Sequence, residues 1–121
     1  MAIKLKVGEK EYGLRMDMYA MEQIETEFGS VDNMLQKMEG NSINAIGKLF
    51  KIMANAYLAY IGQEETVTGN ELKRLRVAAV RGAGIAIRAA IDEGMKSETI
   101  EGEEADDEVY DVYLAEIEAK N

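Results

Sequence analysis

The chain of 121 residues contains no cysteine, histidine, tryptophan or proline. Without cysteine there is no disulfide, thiolate nucleophile or thiolate metal ligand. Without histidine, the commonest general base and transition-metal ligand are also missing. No run of apolar residues approaches the roughly 18 needed to span a membrane. The opening residues 1–6 alternate without a continuous apolar run, so no secretory signal is predicted and we expect a cytoplasmic protein.

The net charge of −9 is confined to one end of the chain. Residues 98–121 hold ten acidic residues against a single base, Lys120, whereas the first 97 residues hold 13 of each sign. Phosphate contacts need a basic face, so this balance argues against a nucleic-acid-binding protein. Together with the missing nucleophiles, it favours binding over catalysis, and we expect no enzyme activity and no cofactor.

Residues 3–16 form two runs of alternating apolar and polar side chains, which predict a β-hairpin. A two-residue turn at Glu9 and Lys10 would put all six apolar residues on one face. The predicted cross-strand pairs are Val7 with Tyr12, Leu5 with Leu14, and Ile3 with Met16. An isolated hairpin is only marginally stable, so helices must cover this face.

Two short helices are predicted next. Asp17 stands where an N-cap is expected for a helix over about 18–28, and Gly29 where a left-handed C-cap is expected. Ser30 is the corresponding cap for a second helix over about 30–38.

Two longer helices follow. Ser42 opens the most apolar one, over about 43–62, whose stripe is broad enough to face more than one neighbour and permits self-association. Thr68 and Glu71 form a capping-box pattern that predicts a fourth helix over about 70–96. The fold class is therefore α+β and mostly α-helical, with an N-terminal hairpin packed on a four- to five-helix bundle.

One globular domain is predicted over 1–97, followed by an acidic linker and an amphipathic helix within 98–121. The helix is expected from about 106 to 119, because Tyr110, Tyr113, Leu114 and Ile117 fall at i, i+3, i+4 and i+7. Two interpretations stay open. This stripe either packs on the chain's own core or docks on a partner in the way helix-in-groove ligands do.

Basic residues recur every seven positions at Arg74, Arg81 and Arg88. Three hypotheses compete for this stripe. It is a solvated face, or it receives the acidic tail of the same or a neighbouring chain, or, ranked lowest, it binds nucleic acid. Exposed ion pairs are each worth only about 0–1 kcal/mol, so docking of the tail would also need its apolar stripe.

Other candidate sites have simpler interpretations. The carboxylates beside apolar helix positions are interpreted as solvated edges rather than an acid/base pair; they are Glu22, Glu25, Asp92 and Glu93. The acidic run 101–108 lacks the spacing of a calcium-binding loop, so no metal site is predicted. Gly82-Ala83-Gly84 does not follow a strand, and helix packing or a bend is favoured over phosphate binding.

A pattern of structural residues runs through the first 60 positions. It consists of Ile3-x-Leu5, then Gly8-x-x-x-Tyr12-x-Leu14, then Ala20-x-x-x-Ile24-Glu25-x-x-Phe28-Gly29-Ser30. The pattern resembles the start of small tail assembly chaperones of long-tailed phages and prophages, and of the related gene-transfer-agent proteins. In these proteins a short hairpin precedes a helix that ends in I-E-x-x-F-G-S.

The resemblance implies a non-enzymatic chaperone without catalytic residues. Such proteins bind the long, aggregation-prone tape measure protein in the host cytoplasm, keep it soluble and help to recruit tail tube subunits. In many such phages a ribosomal frameshift yields a longer product, which would place the acidic tail just before the frameshift junction. The candidate contacts are the spare apolar face of the third helix and the acidic terminal helix.

Two other classes remain. The first is an acidic regulatory or inhibitory protein of a mobile element, whose tail mimics nucleic acid and binds a basic protein. The second is a small carboxylate enzyme, which requires two convergent acids with strongly shifted pKa values.

Overall fold

The computed structural model describes residues 2–96 and 107–112. Its elements are β1 (Ile3–Val7), β2 (Lys10–Leu14), α1 (Met18–Phe28), α2 (Val31–Glu39), α3 (Ile43–Tyr60), a 3-10 turn (Asn70–Leu72), α4 (Val77–Met95) and β3 (Glu108–Asp111). The predicted α+β class is confirmed: in this part of the chain, an N-terminal hairpin packs on four helices.

Polar side chains begin the first three helices where the sequence predicts. Each accepts a hydrogen bond from a backbone N–H in the first turn, which satisfies a donor that has no partner within the helix. The pairs are Asp17 with Ala20, Ser30 with Asn33, and Ser42 with Ala45, at 2.9, 3.0 and 3.2 Å. Gly29 ends α1 with φ +83°, a conformation in which a side chain would be strained.

The hairpin forms, but its predicted register is wrong by two residues. The turn lies at Gly8 and Glu9, because Gly8 has φ +65° and suits the first central position of a type II′ turn. The observed pairs are Val7 with Lys10, Leu5 with Tyr12, and Ile3 with Leu14. A shift by two residues leaves every side chain on the same face, so the apolar face still points into the core.

The predicted terminal helix is wrong in its first part. Glu108–Asp111 forms a strand that pairs in parallel with β1, giving the sheet order β2-β1-β3. This pairing satisfies the outer backbone edge of β1 and buries Val112 completely. Glu108–Asp111 therefore completes the sheet, Val112 is helical as predicted, and the predicted helical positions 113–119 lie outside the described residues.

The fourth helix begins later than predicted. Glu71 does accept hydrogen bonds from the N–H groups of Thr68 and Gly69, at 3.1 and 2.8 Å, but these cap the 3-10 turn. That turn puts Leu72 into the core with 3 % of its surface exposed, and α4 starts only at Val77.

Helix α3 lies at the centre of the core and contacts α1, α2, α4 and β2. The largest fully buried side chains are Leu5, Ile24, Met34, Ile46, Leu49, Phe50, Met53, Ile87 and Val112. Helix α4 runs without interruption through Gly82-Ala83-Gly84. A Cβ on Gly84 would lie 3.1 Å from Cδ1 of Ile46, so this small residue lets α4 pack closely on α3.

Candidate partner-binding cleft

An open cleft of about 580 Å³ lies between α1, the first half of α3, the loop before the 3-10 turn, and α4. Ile43, Gly47 and Lys51 contribute to it from α3 at spacings of four residues, so they share one helix face. This is the part of the α3 surface that neighbouring elements leave uncovered at its N-terminal end.

The floor of the cleft is apolar. Ile52, Leu72 and Val80 line it, each with at most 8 % of its surface exposed. Ile43 stands at its edge with 42 % exposed, although the apolar stripe of α3 predicts it to be inside. An apolar side chain entering from a partner would be removed from water against these residues, which is favourable.

The rim of the cleft is basic. Lys48, Lys51 and Lys73 line it and are exposed; one acidic residue, Glu27, also lines it and lies 3.8 Å from Lys48. The Lys48 ammonium also lies 5.8 Å from the centre of the Phe28 ring. In a chain of net charge −9, these lysines give the rim a locally positive character, which favours anionic over cationic groups there.

One wall of the cleft is held in place by hydrogen bonds. The Asn55 side chain donates to the carbonyl oxygen of Val67 at 2.8 Å and accepts from its N–H at 3.0 Å. At Gly69, φ is +91°, and a Cβ there would come within 3.6 Å of the carbonyl oxygen of Gly47. The loop therefore lies against α3, and the cleft is formed before any partner arrives.

The three arginines predicted as a stripe do not share one helix. Arg74 lies in the turn before α4, and Arg81 is exposed on α4. Arg88 is half-buried and donates to the carbonyl oxygen of Met38 at 2.6 Å and to the side-chain oxygen of Asn41. Arg88 therefore ties α4 to the C-terminal end of α2, where a cation is favourable for the helix dipole.

Of the four predicted docking residues in the tail, the structure describes only Tyr110. It is half-buried in β3 opposite Leu5, and its hydroxyl donates to the Glu108 carboxylate at 2.8 Å, which raises the pKa of Tyr110. Tyr113, Leu114 and Ile117 lie outside the described residues. Tyr110 therefore belongs to the chain's own sheet.

Opposite charges line the contact between β3 and β1. Asp107 accepts the N–H of Ala2 at 3.1 Å and lies 3.3 Å from the Lys4 ammonium. The Ala2 hydrogen bond first, and then Lys4, lower the pKa of Asp107, while the same carboxylate raises the pKa of Lys4. Asp111 lies 3.9 Å from Lys6, two residues further along β1.

Three of the four other acidic candidates lie at the surface, and the fourth, Glu93, is half-buried. Glu22, Glu25 and Asp92 are exposed, and Glu93 accepts a hydrogen bond from Lys96 at 3.0 Å. Within residues 2–96 and 107–112, no group of three or more carboxylates is placed to hold a metal ion.

A second apolar surface lies at the other end of α3. Tyr60 and Ile61 there are 53 % and 43 % exposed. The Arg15 guanidinium lies 3.6 Å from the centre of the Tyr60 ring, a cation–π contact. This surface is an alternative to the cleft as a docking site for a partner.

Sequence reasoning missed the lysines of the cleft. One signal was present: Lys48 and Lys51 are the only charged residues of α3 and lie three positions apart, so they mark one face. Lys73 and the 3-10 turn come from a distant part of the chain, and no local pattern connects them with α3.

Comparison of the chain with protein families, curated proteins and solved structures finds no match. Among the described residues, no helix has the length and apolar character needed to cross a bilayer.

Proposed function

We propose that this chain is a non-enzymatic tail assembly chaperone of a long-tailed phage or prophage, which binds the tape measure protein in the host cytoplasm. It keeps that partner from aggregating and assists the recruitment of tail tube subunits. The N-terminal sequence pattern supports this proposal. The hairpin and capped α1 that carry the pattern are formed, with Ile24 fully buried and Gly29 ending α1.

The observation that carries the proposal is the preformed cleft with an apolar floor and a basic rim. A chaperone of this kind must cover apolar side chains of its partner and later release them. The apolar surface that covers them must therefore be small. We assign the floor residues Ile52, Leu72 and Val80 to an apolar side chain of a partner helix. Lys51 and Lys73 on the rim would then pair with carboxylates beside that side chain.

The test is co-expression of the chain with overlapping fragments of the tape measure protein. We expect at least one fragment to become soluble and to co-elute with the chain. Ile43→Asp should weaken that binding by about tenfold or more, since it puts a charge at the apolar entrance of the cleft and interface anchors are worth more than 1 kcal/mol. Ile85→Asp is the matched control, since Ile85 is 50 % exposed on α4 and is not among the cleft-lining residues.

The outcomes separate the function from its site. If no fragment is solubilised or co-elutes, the chaperone function is refuted. If binding survives Ile43→Asp but is lost with Ile61→Asp, the function stands, and the docking site moves to the surface around Tyr60.

Salt dependence separates the chaperone from an acidic inhibitor of a basic protein. The Debye length falls from about 10 Å at 0.1 M salt to about 3 Å at 1 M, so binding through a charged tail should be lost over this range. Binding governed by apolar burial should persist. Strong, salt-sensitive binding to basic proteins, without any binding to the tape measure fragments, would favour the inhibitor.

A further inference from the structure

Strand β3 is attached through contacts that any identical strand could make. Its backbone pairs with β1, and the Glu108 N–H donates to the carbonyl oxygen of Ala2 at 3.0 Å. Asp107 and Asp111 lie beside Lys4 and Lys6, and Val112 is fully buried. The acceptor is thus an edge of β1 that recognises an extended acidic segment ending in one apolar anchor.

The connection to β3 is long. Ten residues, 97–106, separate Lys96 from Asp107. At full extension they span roughly 33–36 Å, whereas a domain of this size has a radius of gyration of about 14 Å. This length exceeds the radius of the domain, so the connection does not by itself confine the strand to its own sheet.

We propose that the outer edge of β1 accepts β3 of a second copy of this chain, together with its flanking residues Asp107 and Val112, so that two copies form a strand-exchanged dimer. Every described contact of β3 is reproduced between the copies, including the pairing of Lys4 and Lys6 with acidic side chains. A strand on a flexible connection of ten residues has an effective concentration in the millimolar range, so exchange competes only near that protein concentration. The proposal is independent of the chaperone function.

Single cysteines test the exchange, because the chain has none of its own. Lys4 and Val109 are direct neighbours across the β1–β3 pair. Lys4→Cys and Val109→Cys are therefore made in separate full-length chains, one of them tagged, and mixed before mild oxidation. A closed monomer of either chain holds only one cysteine, so a disulfide between the two marks an exchanged strand.

At about 1 mM we expect the mixture of Lys4→Cys and Val109→Cys chains to yield about tenfold more covalent heterodimer than a mixture of Lys10→Cys and Val109→Cys chains. At roughly 10 μM protein the excess should disappear. Lys10 is the matched control, since it lies exposed on β2, at the far side of β1. Equal yields from the two mixtures would overturn the proposal.

A second variant checks the register itself. A chain carrying both Lys4→Cys and Val109→Cys should form its disulfide internally at micromolar concentration and remain a monomer. Absence of that internal bond would also overturn the proposal, since the strand would then not lie beside β1.

Discussion

Three helical glycines differ in the space around them, and alanine substitution at each should change stability in a graded way. Gly47 in α3 has no atom within 4 Å of the position that a Cβ would take. At Gly84 in α4 the nearest atom is Cδ1 of Ile46 at 3.1 Å, the end of a side chain that can move. At Gly94 the nearest atom is the carbonyl oxygen of Met16 at 2.3 Å, which cannot rotate away.

The magnitudes follow from two opposing effects. Alanine in a helix interior is more favourable than glycine by roughly 0.5–1 kcal/mol. This gain applies in full at Gly47, but at Gly84 it is offset because Cδ1 of Ile46 must shift to admit the Cβ. Overpacking costs typically about 1–3 kcal/mol, which applies fully at Gly94. We therefore expect Gly47→Ala to stabilise the fold, Gly84→Ala to be nearly neutral, and Gly94→Ala to destabilise it by roughly 1–2 kcal/mol.

Urea unfolding followed by circular dichroism measures the three differences, and thermal unfolding provides a second readout. With an unfolding entropy of about 2.1 cal/mol/K per residue, each kcal/mol shifts the Tm of a chain this long by roughly 4 °C. The reasoning is refuted if Gly94→Ala is as stable as Gly47→Ala, because the end of α4 would then not lie against Met16.

Two further predictions concern the loop and the sheet edge. Asn55→Ala removes both hydrogen bonds to Val67 and should cost about 1–3 kcal/mol in urea unfolding, at roughly 0.5–1.5 kcal/mol per bond; a loss below 0.5 kcal/mol would show that these bonds do not hold the loop. Folding lowers the pKa of Asp107 below its unfolded value near 3.8. The contacts of its carboxylate with Ala2 and Lys4 therefore stabilise the fold fully above that unfolded pKa, and this stabilisation is lost as the pH falls through the folded pKa. Exchange of the Glu108 amide, corrected for intrinsic rates, should therefore accelerate below about pH 4, and Asp107→Asn should remove that pH step; an unchanged step would assign it to another group.

Local signals predicted much of the fold. The caps at Asp17, Ser30 and Ser42 were predicted correctly because capping is a short-range interaction. In each case the side chain accepts a hydrogen bond from the N–H only three residues further along the chain. The hairpin register was missed because the positive φ of Gly8, rather than the apolar pattern, determines where the turn lies. The apolar pattern cannot distinguish registers that differ by two residues.

The strand at Glu108–Asp111 was missed for a different reason. Tyr110 fits the helical spacing of the tail, but its strand conformation depends on pairing with Leu5, more than 100 residues earlier. The cleft is non-local in the same way, since Lys51 and Lys73 meet only after the loop has folded onto α3. Neither the pairing of β3 with β1 nor the position of Lys73 beside α3 has a signature in any short stretch of sequence.

The pairing of β1 with β3 also has a consequence during protein synthesis. Ala2 and Asp107, which are hydrogen-bonded, are 105 positions apart in the sequence. Translation proceeds from the N-terminus, so β1 emerges from the ribosome long before its outer neighbour exists. Throughout that interval its open edge could pair with other nascent chains, and the charges of Lys4 and Lys6 discourage such aggregation until Asp107 and Asp111 arrive to neutralise them.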